Sequence, residues 1–177
     1  MEDNYVKLAK KSVQKAVTGK DPGGIQELKE SLPDESRGAF VTLKKLNGDL
    51  RGCIGTYTPV TESVGKEIIR NASSAALEDP RFSPVKPEEL GGLTISVDIL
   101  SQPEACDRED LNPDKYGIIV EKGARSGLLL PDLEGIDSVE EQLEVTKNKA
   151  GIPPRDENFV IKRFEVERHE GETPIDN

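Results

Sequence analysis

Residues 49–59, DLRGCIGTYTP, follow directly on Asn47-Gly48 and set one of only two cysteines between two glycines. An Asn-Gly pair between alternating apolar and polar residues is a strong hairpin signal, because both residues tolerate positive φ. Residues 40–46 and 49–57 are therefore expected as paired strands. Side chains alternate faces along a strand, so Leu50 and Ile54 are expected on one face and Arg51 and Cys53 on the other. With a tight two-residue turn, Val41 falls opposite Ile54 and Thr42 opposite Cys53. The partner strand then repeats the division, with Val41, Leu43, Leu50 and Ile54 facing the core and Thr42, Lys44, Arg51 and Cys53 on the reverse.

This parity makes Cys53 a candidate site. A guanidinium two residues away favours thiolate over thiol. Gly52 and Gly55, lacking side chains, let a ligand or another backbone approach the strand closely. The alternative reading is structural, since free cysteine is among the most buried residue types and strand glycines often mark a bulge.

The heptapeptide LRGCIGT, residues 50–56, resembles the signature of the AMMECR family, in its prokaryotic branch, the A protein of the AmmeMemoRadiSam system. The segments AALEDPRFSPV at 75–85, KYGIIVEKGARSGLLLPDLEGID at 115–137 and FEVERH at 164–169 fit the same pattern in the same order. The resemblance covers nearly the whole chain. It implies a single AMMECR-type domain over 1–177, built as two interleaved lobes, working beside a radical S-adenosylmethionine protein and a Memo-type protein. It implies no settled reaction and no particular cofactor.

Away from the heptapeptide, the periodicities supply the remaining elements. Tyr5, Leu8, Ala9, Ser12, Val13, Ala16 and Val17 follow helical spacing, with Asp3 or Asn4 as cap and Gly19 as stop. Residues 25–32 allow a further turn or two of helix. Thr61 can cap a helix whose inner face reads Val64, Ile68, Ala72, Ala75 and Ala76, ending at Asp79-Pro80. Residues 93–100 alternate as a strand with one buried face, and its polar face is expected to flank Cys53 if it joins the hairpin's sheet. Residues 102–114 read as an exposed connection in which Cys106 is incidental.

The pattern then recurs. Residues 117–121 and 127–130 form a second hairpin, and Ser138 with Glu141 opens a helix closed by Gly151. Residues 159–168 form a last strand, whose change of phase between Ile161 and Phe164 indicates a bulge at Lys162 or Arg163. Each half reads hairpin, helix, strand. The fold class expected is α+β, with a largely antiparallel sheet, open or curled into a barrel-like form, and flanking helices. The acidic tail, residues 170–177, reads as mobile.

Composition narrows the function classes. The 177 residues carry a formal net charge of −10 without a basic run, which disfavours nucleic acid. Lys44, Lys45 and Arg51 could form a local cationic patch, although paired charges on a solvated hairpin are the commoner reading of such residues. No apolar run approaches a membrane span, the first residues lack a signal-peptide core, and two cysteines read as free thiols, so a cytoplasmic protein is expected. Neither phosphate-binding glycine loop occurs. One histidine and no C-x-x-C leave too few soft ligands for zinc or iron-sulfur chemistry, and no metal ligands are assigned.

A cysteine nucleophile needs a thiolate, a base or cation to maintain it, and a proton donor. Cys53 is the candidate nucleophile and His169, the only imidazole, the candidate base. Against His169 stands its place at the end of the last strand, before the tail. Arg51, Gly52, Gly55, Thr56 and Arg81 are candidate ligand-binding residues, the last from DPRF, where it either grips an anionic substrate or pairs with a nearby carboxylate. Three readings follow: an enzyme component using Cys53, a non-catalytic module presenting the LRGCIGT cleft to a peptide or small ligand, and a purely structural subunit.

Overall fold

In a computed structural model describing residues 2–176, the chain forms two compact units, residues 2–99 with 167–176 and residues 100–166. The first helix, α1 (Asn4–Thr18), begins where the Asp3 carboxylate accepts the Val6 N–H at 3.0 Å and ends at Gly19, φ 70°. These are the local devices expected at the two ends of a helix. A short α2 (Ile25–Glu30) follows, then strands β1 (Ala39–Lys45) and β2 (Leu50–Thr56) and helix α3 (Val64–Leu77). A 3-10 turn, Pro87–Gly92, leads into β3 (Leu93–Leu100). The cap of α3 is Ser63, whose hydroxyl accepts the Lys66 N–H, rather than Thr61. Thr61 Oγ1 instead donates to the buried carboxylate of Glu67.

The first sheet has the order β2-β1-β3-β8, where β8 is Val166–Glu170. Its core face carries Ala39, Val41, Leu43, Ile95, Val97 and Ile99, all buried against α1 and α3 residues such as Leu8, Val13, Ile68 and Ala72. Burying each of these larger aliphatic side chains contributes about 1.5–3 kcal/mol. The turn differs from the expected tight pair. Gly48 N–H reaches the Lys45 carbonyl at 2.8 Å, and of the turn residues only Gly48, at φ 91°, is left-handed. Lys45 N–H pairs with the Asp49 carbonyl, one residue out of the expected register. A bulge opposite Leu43/Lys44 then absorbs that residue, so Leu43 faces Gly52 while Lys44 faces Leu50.

The consequence is selective. Beyond the bulge the expected pairs stand, Val41 opposite Ile54 and Thr42 opposite Cys53. Before it, parity breaks: Leu50 is 36% exposed, and Arg51, the unpaired residue of the bulge, is 7% exposed.

The second unit repeats the arrangement. Strands β5 (Gly117–Lys122) and β6 (Arg125–Leu129), helix α4 (Val139–Ala150) and strand β7 (Val160–Phe164) follow in the order of the first unit. The sheet order β6-β5-β7 mirrors β2-β1-β3, with the two-residue β4 (Glu104–Ala105) at its edge. The Ser138 hydroxyl accepts the Glu141 N–H and donates to the Glu141 carboxylate, and Gly151 closes α4 at φ 67°. Even the close approach of helix to hairpin recurs. A Cβ on Gly52 would lie 2.2 Å from the Ala75 carbonyl oxygen of α3, and one on Gly127 would lie 2.5 Å from the Thr146 oxygen of α4.

The fold is therefore α+β, with β1–β2, β1–β3, β4–β7, β5–β6 and β5–β7 all antiparallel. Two open four-stranded sheets form in place of one curled sheet, so the barrel-like variant does not arise. The last strand breaks at Glu165 instead of bulging at Lys162 or Arg163, because β7 belongs to the second sheet and β8 to the first. The tail is anchored, not mobile: Ile175 is buried and its N–H reaches the Leu93 carbonyl at 3.0 Å, while Lys10 binds the Thr173 and Pro174 carbonyls. Asn177 lies outside the described residues. No helix among them is long and apolar enough to cross a membrane.

Candidate functional site

Strand β2 is the edge of its sheet, and an edge strand presents unpaired N–H and C=O groups. At Cys53 both are taken by the DPRF segment that leaves α3. The Asp79 carboxylate accepts the Cys53 N–H at 2.9 Å, and the Arg81 guanidinium donates to the Cys53 carbonyl at 3.2 Å. Asp79 also accepts the Arg81 N–H and two guanidinium N–H groups, at 3.0, 3.0 and 2.7 Å. The pair thus substitutes side chains for a neighbouring strand. The Arg81 hydrogen bond holds the Asp79 carboxyl far below the ordinary carboxylate range, against the opposing effect of burial and with help from the Cys53 and Arg81 N–H groups.

With its backbone groups turned outward, Cys53 forms a non-hydrogen-bonded pair with Thr42, the arrangement in which cross-strand side chains lie closest. The Cys53 sulfur sits 3.2 Å from Thr42 Oγ1. Ser96 of β3 lies opposite Thr42, so a thiol and two hydroxyls form one row across the polar face. The sulfur is half-buried and on the polar side, as strand parity requires. The guanidinium that touches Cys53 is that of Arg81, and it reaches the carbonyl oxygen.

Arg51 has a different neighbourhood. Its Nε and Nη2 donate to the two carboxylate oxygens of Glu89, at 2.8 and 3.0 Å, and its side chain is 8% exposed. This two-pronged bond pulls the Glu89 carboxyl below its ordinary range, overcoming burial. Arg51 and Glu89 form the wall of a hollow of about 460 Å³ that Phe82, Lys45 and Lys86 also line. The Phe82 ring lies 5.9 Å from the Arg51 guanidinium carbon and 5.6 Å from that of Arg81, within cation–π range. Cys53 is not among the lining residues.

The remaining candidates are engaged within the chain. The space beside Gly52 is filled by the Ala75 carbonyl, and Gly55 lies under the ring of Phe40 across the strand pair. Thr56 Oγ1 donates to Glu67 and accepts from Asn71 Nδ2 at 3.0 Å. Glu67 is completely buried and also accepts the Val60 and Thr61 N–H groups, fixing the loop before α3. Both Glu67 and Asn71 fall on the inner stripe that Val64, Ile68 and Ala72 define, so their burial was readable from helical spacing. His169 lies within β8, stacked on Tyr5 at 4.2 Å, with Nδ1 2.6 Å from the Asp3 carboxylate and Nε2 3.4 Å from Glu167. Its partners are Asp3 and Tyr5 at the start of α1 and Glu167 of its own strand, and Cys53 is not among them.

In the second unit, Cys106 packs against the apolar cluster of α4 and β5, and burial raises its thiol pKa. Both cysteines are free thiols.

A family model described as AMMECR1 matches residues 6–169. The chain belongs to the AMMECR1 family. A protein of Thermotoga maritima is similar to this AMMECR1 chain at 51% identity over 173 residues, covering 95% of this chain and 98% of the relative. A protein of Clostridium acetobutylicum is 49% identical over 95% of this chain, which spans 36% of that longer relative. Among solved structures, an uncharacterized protein of Pyrococcus horikoshii superposes with a TM-score of 0.83 at 36% identity, covering 96% of this chain and 91% of its own. The AMMECR1 fold is thus common to both chains.

Proposed function

We propose that this AMMECR1-family protein is a cytoplasmic, non-catalytic binding module whose ligand occupies the hollow walled by Arg51 and Phe82, at the entry to the LRGCIGT strand. One observation carries the reading: a guanidinium buried to about nine-tenths is pinned by Glu89 into the wall of a hollow of about 460 Å³. That volume lies within the range of small-molecule sites. Burying an arginine is expensive unless its partners are fixed, and here the pinning leaves the group rigid before any ligand arrives.

The nucleophile reading draws less support. Cys53 has a hydroxyl for a neighbour, and the sole imidazole is committed to Asp3 and Tyr5. The radical S-adenosylmethionine and Memo-type proteins implied by the family resemblance enter this proposal as the proteins that would supply or receive the bound molecule. The test is to equilibrate purified protein with a metabolite extract and identify what it retains by mass spectrometry. Wild type and Cys53→Ala should retain the same molecule, and Arg51→Met, checked for folding by its thermal melt, should lose it. Retention that depends on Cys53 and survives in Arg51→Met would refute the proposal.

A further inference from the structure

We infer that the Arg51 hollow takes a phosphorylated small molecule, with the phosphoryl group among Arg51, Lys45 and Lys86. This rests on the binding reading above. Three cationic groups line one hollow on a chain whose net charge is −10. Glu89 occupies Nε and Nη2 of Arg51, and no hydrogen bond joins Nη1 to another described residue. Lys45 and Lys86 are exposed and form no salt bridge among the described residues. One further acid, Glu88, lines the hollow and is exposed. With Arg51 neutralised by Glu89, the two lysines against Glu88 leave one net positive charge.

The geometry separates phosphate from carboxylate. A carboxylate is best recognised by the two-pronged Nε/Nη2 edge of a guanidinium, and that edge is already spent on Glu89. What remains is one Nη1 and two mobile ammonium groups, separate donors that suit the three terminal oxygens of a phosphate monoester. Lysine binds phosphate as a point charge and does not need planar geometry. Beside the cations, Phe82 and the 36%-exposed Leu50 line the same hollow and provide apolar surface for the rest of such a molecule.

The test uses 15N-labelled full-length protein titrated with phenyl phosphate, benzoate and benzyl alcohol. Phenyl phosphate should shift the Arg51 side-chain Nε–H and the Ser83 and Lys86 amides. Lys45→Gln combined with Lys86→Gln should weaken it about tenfold, since two positive charges are lost near a dianion. Raising the salt should weaken it in wild type. Equal binding of benzoate, or no change in the lysine double variant, overturns the phosphate assignment while leaving the hollow a binding site. Benzyl alcohol binding as tightly as phenyl phosphate does the same. If none of the three probes moves these signals, the phosphate assignment fails and the binding reading loses its support.

Discussion

Replacing Asp79 with alanine should unclip the edge of β2. The Asp79 carboxylate is buried and accepts four hydrogen bonds, one from Cys53 N–H and three from Arg81. Without it the partly buried Cys53 N–H has no partner, which costs about 1–3 kcal/mol. The Arg81 backbone N–H loses the local bond that fixes the turn, roughly another 0.5–1 kcal/mol. The Arg81 side chain is 55% exposed and can turn to water, so the lost ion pair itself adds only about 0–1 kcal/mol. The sum is about 1.5–5 kcal/mol, or a melting temperature lower by roughly 3–20 °C for a chain of this length. Arg81→Ala leaves the buried Asp79 carboxylate without two of its four donors and the Cys53 carbonyl without its partner, so it too should destabilise, by about 1–3 kcal/mol. Chemical denaturation gives both values, and amide hydrogen exchange at Cys53 locates the loss. An Asp79→Ala protein whose Cys53 amide stays as protected as in wild type would refute the clip.

Gly52→Ala should destabilise by about 1–3 kcal/mol, because the new Cβ would sit 2.2 Å from the Ala75 carbonyl oxygen. Gly92→Ala, where a Cβ meets nothing within 4 Å and φ is not left-handed, should be neutral or slightly stabilising; urea midpoints compare the two. Acid should weaken the first unit. The Asp79 and Glu89 carboxyls titrate below their ordinary values of 3.8 and 4.5, so their contribution is full above those values and is lost as pH falls toward the folded ones. Melting temperatures between pH 6 and pH 3 should therefore fall less steeply in Asp79→Ala than in wild type. Phe40→Ala should bare the face of Gly55 and cost about 3–4 kcal/mol at most, given that Phe40 is only half-buried; a melt unchanged within a degree would show that the ring is not needed there.

What the sequence disclosed was local. Asp3 and Gly19 bound α1, Ser138 and Glu141 open α4, and alternation along β3 places Ser96 beside Thr42 and Cys53. Each of these depends on residues within a few positions or on a single period. The displacement of Arg51 does not: it follows from a turn one residue longer than the Asn-Gly pair suggests, made good by a bulge that restores register before Cys53. Parity was thus right at the sulfur and wrong two residues earlier, which is why one expected cleft became a polar row and a separate hollow. The Asp79 clip spans 26 residues, and no periodicity connects its ends. Likewise, the seating of Ile175 depends on which sheet the last strand joins, and a single apolar residue in an acidic tail carries no period.

The separation of Arg51 from the Cys53 sulfur admits a direct measurement. Carbamidomethylation of Cys53 in Cys106→Ser protein, followed by NMR, should move the Thr42 and Ser96 signals and leave the Arg51 Nε–H and the Lys86 signals in place. Movement of the Arg51 Nε–H with the Thr42 signal unchanged would mean that thiol and guanidinium share one cleft, contrary to the account.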